Sequence, residues 1–94
     1  MRTLSGGFAV QHRVLVVDDE LGMREVLEIV LQNAGYDVQT ANNVDQAIGL
    51  FEKQAFDAVL TDLYMGNDRQ AGMRLLSWLQ EHAPNTPAIM MTAY

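Results

Sequence analysis

The chain has 94 residues, 49% of them hydrophobic and 19% charged, with a formal net charge of −6. This length and balance describe one globular domain and exclude a disordered chain. Its six Lys and Arg form no basic stripe for a phosphate backbone, no apolar run is long enough for a membrane span, and zero cysteines exclude disulfides and thiolate metal sites.

Residues 1–12 read as a flexible leader, with a Gly6-Gly7 pair and none of the apolar core of a secretory signal. A cytoplasmic protein is expected. From Arg13 the pattern sharpens into a domain expected to run over residues 13–94. Val14-Leu15-Val16-Val17 is a mostly β-branched strand run, followed at once by Asp18-Asp19-Glu20. A helix period follows, with Met23, Val26, Leu27, Val30, Leu31 and Ala34 on one face. Arg24, Glu25, Glu28 and Gln32 fall on the other face, and Gly35 is placed to stop the helix.

Asp37 to Ala41 alternates like a second, less buried strand. Asn43 is placed to cap a second helix with Gln46 as its reciprocal partner, and Val44, Ala47, Ile48 and Phe51 form the apolar stripe. Gly49 inside that helix costs about 1 kcal/mol relative to Ala. Phe56 to Asp62 is a third strand, apolar until it ends in a carboxylate. Such a run suits the interior of a parallel sheet, whose ligands gather beyond the carboxyl ends of the strands. Gly66 to Gln70 reads as a loop, Gly72 to His82 as a third helix with Leu75, Leu76 and Leu79 inward, and Ala88 to Met91 as a fourth strand.

Regular alternation of strand and helix implies right-handed crossovers and a parallel α/β sheet. The first and third strands end in carboxylates, whereas the second ends in Thr40-Ala41-Asn42. If the acidic ends share a purpose, strands one and three are neighbours and the order is 2-1-3-4. Carboxylates brought together repel, and a hard divalent cation such as Mg²⁺ relieves them while leaving room for phosphate oxygens. The pattern points to a phosphoryl acceptor, with Asp62 as nucleophile, Asp18 and Asp19 as metal holders, and Thr92 offering a hydroxyl from the next strand.

Taken singly, each of these residues has a plainer reading. An acid after a strand commonly caps the following helix, and Glu20 fits the first turn in this way. His12 and His82 lack ligand partners at useful spacing, and Trp78 and the methionines suit packing. The combination of two adjacent acids after one strand and a lone acid after another favours the site.

Three motifs in order, Val-Leu-Val-Val-Asp-Asp-Glu, Leu-Thr-Asp-Leu-Tyr-Met and Met-Met-Thr-Ala-Tyr, resemble a response-regulator receiver domain over Arg13 to Tyr94. The wording is most similar to receivers that precede σ54-type activator modules. The resemblance implies a flavodoxin-like three-layer sandwich and a phosphorelay role, with a histidine kinase as partner and an output domain C-terminal to this region. It implies that Asp62 accepts the phosphoryl group and that Asp19, Asp62 and the Tyr64 backbone carbonyl ligate Mg²⁺, Asp18 acting mainly through water. Thr92 would bond a phosphoryl oxygen and report the event, Ala93 is small as that approach requires, and Tyr64 and Tyr94 stand where lifetime-tuning residues do. A degenerate receiver serving only as an interaction module is the alternative. An aspartate-nucleophile phosphatase fits less well, since its first-strand aspartates are spaced one residue apart.

Two departures from the family accompany the resemblance. The loop from Gly66 to Gly72 is longer than usual and lacks a proline after Met65, so it is expected to be more mobile, and Arg69 poorly placed. The family's closing helix, strand and helix, with a lysine near that strand, have no counterpart, and the single lysine is Lys53. Slow phosphorylation by small donors and self-association through an exposed fourth strand, Ile89 to Met91, are the expectations that follow.

Overall fold

Residues Arg13–Val17 form the first strand, β1, whose side chains Val14, Leu15, Val16 and Val17 are buried on both faces of a sheet. The computed structural model describes residues 11–91. After β1 come α1 (Leu21–Asn33), β2 (Asp37–Ala41), α2 (Val44–Lys53), β3 (Ala58–Asp62), α3 (Ala71–His82) and β4 (Ala88–Met91). The sheet is parallel with order β2-β1-β3-β4, as the acidic strand ends required.

This order decides where the helices lie. The path from β1 to β2 runs one way across the sheet, and the paths from β2 to β3 and from β3 to β4 run the other. Right-handed crossovers therefore put α1 on one face and α2 and α3 on the opposite face. The packing agrees. Leu15, Val17, Val59, Phe56, Ala47, Leu75 and Leu79 share the larger core, against which Phe51 and Trp78 pack. Val14, Val16 and Val38 form the smaller one, covered by Leu27, Leu31 and Leu60. Each fully buried Leu or Val contributes roughly 1.5–3 kcal/mol relative to exposure.

Several sequence expectations need correction. Of the apolar face assigned to α1, Leu27 and Leu31 reach the sheet, while Met23, Val26 and Val30 stay 42–57% exposed. The stripe is wider than the contact one helix makes when it crosses a sheet face without a second helix beside it among the described residues. The third strand starts at Ala58; Phe56 precedes it and is buried against Phe51, with ring centroids 5.0 Å apart. At the start of α2, Asn43 Oδ1 accepts from the Gln46 amide at 2.8 Å as expected, but Gln46 Oε1 accepts from Asn42 rather than Asn43. Gly35 takes φ 99 just past α1, the left-handed stop its position called for.

The start of α3 is what fixes the site end of β3. Gly72 donates its amide to the Leu63 carbonyl at 3.0 Å, and a Cβ added there would lie 2.8 Å from the Asp62 carbonyl oxygen and from Leu63 Cα. A glycine is required because both neighbours are backbone and cannot rotate away. Replacing Gly72 with Ala is expected to cost about 1–3 kcal/mol through overpacking. Urea unfolding followed by far-ultraviolet dichroism measures it; an unchanged midpoint would mean that α3 does not bear on β3.

Candidate metal centre

Registration of β1 with β3 sets Val17 opposite Thr61, so the next residues, Asp18 and Asp62, leave the sheet side by side. Asp18, Asp19 and Asp62 each present a carboxylate oxygen within 4.8 Å of the others. The sequence named these three residues, and the fold brings them together.

Their environments differ. Asp18 is buried, its amide donates to the Ala41 carbonyl at 3.1 Å, and its Oδ1 accepts from the Glu20 amide at 2.9 Å. Burial raises its pKa above the usual carboxylate value; the Glu20 amide opposes this, and the charges of Asp62 and Asp19 add to the rise. Asp19 is exposed and Asp62 half-buried. The Asp62 Oδ1 accepts from the Tyr64 amide at 3.3 Å, and the Asp62 carbonyl from the fully buried Thr61 hydroxyl at 3.1 Å.

Two flanking residues depart from expectation. Glu20 stands at the N-cap of α1, one residue before its first turn, and its side chain makes no capping bond. Arg24, assigned to the outer face of α1, turns back and donates from its guanidinium to the Asp18 carbonyl at 2.7 Å. No periodicity signals this, because the contact spans the junction between a strand and a helix.

The loop after β3 folds as a closed turn. Met65 and Asp68 exchange backbone bonds of 3.2 and 2.9 Å. Asp68 Oδ1 accepts from the Gln70 amide at 2.9 Å and Oδ2 pairs with Arg74 on α3. The Arg74 bond first, and the Gln70 amide second, hold the Asp68 carboxyl below its usual pKa. A Cβ at Gly66 would stand 3.5 Å from Asp19 Oδ2, so the turn's backbone lies against the acid cluster. Arg69, expected on a mobile loop, has its guanidinium carbon 5.3 Å from the centre of the exposed Tyr64 ring. Thr92, Ala93 and Tyr94 lie outside the described residues; Met91, next to Thr92 in sequence, is registered opposite Asp62.

Chemically, the donor set is three carboxyl groups, all oxygen, one of them buried with its pKa raised by that burial. Oxygen donors of this kind fit a hard divalent cation such as Mg²⁺, which needs few protein carboxylates.

The family model of the response regulator receiver domain matches residues 14–94. The response regulator protein PilR of Pseudomonas aeruginosa is 38% identical over 84 residues, which are 89% of this chain and 18% of PilR. This chain thus spans less than a fifth of that relative's length. The response regulator TrrA of Thermotoga maritima, in complex with Mg²⁺-BeF, superposes with a TM-score of 0.81 at 33% identity, covering 89% of this chain and 71% of that one. TrrA in complex with the histidine kinase ThkA superposes with a TM-score of 0.80 at 33% identity, with the same coverage. On the family match and the fold together, the chain belongs to the response regulator receiver domain family.

Proposed function

We propose that this domain takes a phosphoryl group from a histidine kinase onto Asp62, with Mg²⁺ held by Asp18, Asp19, Asp62 and the Tyr64 backbone carbonyl. The observation that carries the reading is the convergence of the three carboxylates within 4.8 Å at adjacent strand ends. In the transfer, an Asp62 carboxylate oxygen attacks phosphorus as the P–N bond to the kinase histidine breaks. The imidazole leaves with the bonding electron pair, and an acyl phosphate remains on Asp62. When bound, Mg²⁺ supplies neutralisation of charge on the phosphoryl oxygens.

The chain's own residues position the acceptor. The Tyr64 amide and the backbone anchored through Thr61 hold Asp62 in place, and Arg24 and the Glu20 amide hold Asp18. The Thr92 hydroxyl is assigned to a phosphoryl oxygen. The product is one adduct per chain rather than a released product of turnover.

For partners, TrrA bound to a histidine kinase supports the same class of donor here. The exposed Leu21, Met23, Val26, Ile29 and Val30 on α1, which begins beside the acids, offer an apolar surface for it. The remaining length of PilR supports an output domain outside this chain. Among the described residues no helix is long and apolar enough to cross a membrane. A cytoplasmic location, the division into a leader over 1–12 and a domain over 13–94, and pairing of two copies through the β4 edge belong to the same proposal. Among the described residues β4 stands at the end of the sheet and Ile89 is 54% exposed, which supports that pairing for the 94-residue chain.

Asp19→Asn and Asp62→Asn are each expected to weaken Mg²⁺ binding about tenfold or more, since each removes a charged ligand. Calorimetry measures this, and unchanged affinity in both variants would sink the metal assignment.

Asp18→Asn is expected to raise the metal-free melting temperature at neutral pH, by about 4–8 °C for each kcal/mol of buried charge relieved. The folded pKa of Asp18 is raised, so its ionisation weakens the fold above its usual value and the weakening is complete above the raised one. The advantage of the variant therefore fades as pH falls through that raised pKa. A lower melting temperature in Asp18→Asn at neutral pH would show that the Glu20 amide bond outweighs burial.

Incubation with the phosphorylated kinase and Mg²⁺ should add one phosphoryl group per chain by intact mass, and none to Asp62→Asn. Catalytic release of phosphate from an ester would favour the phosphatase reading, and a chain that stays unlabelled even when extended through its continuation the degenerate receiver.

A further inference from the structure

Two arginines lie on the segments that follow the acids, Arg24 on α1 and Arg69 on the turn after β3, and neither pairs with any of the three carboxylates. Arg24 is committed to the Asp18 carbonyl. Arg69 is stacked on Tyr64 and donates no hydrogen bond among the described residues, whose ion pairs are His12–Asp57, Arg13–Asp37 and Arg74–Asp68. A flexible cation on a segment adjoining acids is drawn toward them by charge.

The turn after β3 explains why Arg69 does not pair with one. Asp68, its chain neighbour, is fixed by the Met65 backbone, the Gln70 amide and the Arg74 side chain. From that pinned position the Arg69 guanidinium lies across the Tyr64 ring, and the Tyr64 amide is 3.3 Å from Asp62 Oδ1. The ring holds the cation by its face, which leaves the N–H donors of the planar fork open to an anion. The carboxylates are left to the metal.

We propose that Arg69 recruits and orients the anionic phosphoryl donor at the rim of the site, as a positioning residue for transfer to Asp62; this rests on the phosphoacceptor reading. Its fork matches two oxygens of a phosphoryl group, and a cation at the mouth of a site raises the local concentration of anions in a salt-dependent way. Arg69 exchanges no proton: the bond from Asp62 to phosphorus forms as the bond from phosphorus to the leaving group breaks.

The test uses the 94-residue chain and its Arg69→Ala and Arg69→Lys variants with acetyl phosphate at saturating Mg²⁺. Labelling of Asp62 is followed by intact mass at low and high ionic strength. Binding of inorganic phosphate to each Mg²⁺-loaded chain, by calorimetry, reads the rim without the transfer. Arg69→Ala is expected to slow labelling about tenfold at low salt, with the gap closing at high salt. Arg69→Lys should recover part of the rate, phosphate affinity should fall in Arg69→Ala, and Mg²⁺ affinity without phosphate should not fall. A labelled parent with equal rate and equal phosphate affinity in Arg69→Ala overturns this inference and leaves the phosphoacceptor reading standing. An unlabelled parent whose phosphate binding is lost in Arg69→Ala upholds the rim, and labelling from the phosphorylated kinase then decides the phosphoacceptor reading. An unlabelled parent with equal phosphate binding overturns this inference, and labelling from the phosphorylated kinase decides the phosphoacceptor reading.

Discussion

Asp18 brings a carboxyl group into a buried position beside two further carboxyl groups, and the rest of the domain is arranged around keeping it there. Two unit charges at about 4 Å repel by roughly 1 kcal/mol in bulk water and about 4 kcal/mol at the effective dielectric of a protein surface. A loop could not hold such a cluster, because it would spread to relieve the repulsion. Here Asp18 is tied to β2 through its amide, to the start of α1 through its carboxylate, and to Arg24 through its carbonyl. The fold supplies the rigidity that unlike charges supply elsewhere.

That rigidity comes from strands buried on both faces. β1 is centred between β2 and β3, with Leu15 and Val17 in one core and Val14 and Val16 in the other. A shift of either strand by one residue would exchange the side chains that fill the two cores and move its acid out of line with the other. The same register therefore specifies the packing and places the carboxylates. Gly72 extends the restraint to β3, since α3 meets the backbone of Asp62 and Leu63 directly.

The two sides of the cluster are built differently. On the β1 side, strand and helix contacts leave Asp18 without freedom to move. On the β3 side, a turn closed by Met65 and Asp68 and pinned to α3 through Arg74 lays its backbone against Asp19. Negative charge is concentrated at the strand ends while Arg69 is held apart on an aromatic ring. A direct Arg–carboxylate pair would satisfy both groups and leave neither available to another partner.

The sequence by itself determined the strands, the helices and the three acids. Runs such as Val14 to Val17 and Val59 to Leu60 state their burial directly, and the abrupt acids after them state where the sheet ends. Strand order followed from one added premise, that acidic ends belong together. The tertiary structure decided what no local pattern encodes. Met23, Val26 and Val30 follow the helical period faithfully, yet whether they are covered depends on how many helices share that sheet face. Arg24 lies on the polar side of its helix by period, but its long side chain reaches back across the turn to a carbonyl that only the packed β1–α1 junction presents. The loop from Gly66 to Gln70 reads as permissive because its order comes from Arg74, on the following helix. Periodicity reports which face of an element is apolar; charge pairing and coverage depend on distances between elements, and those exist only once the sheet has formed.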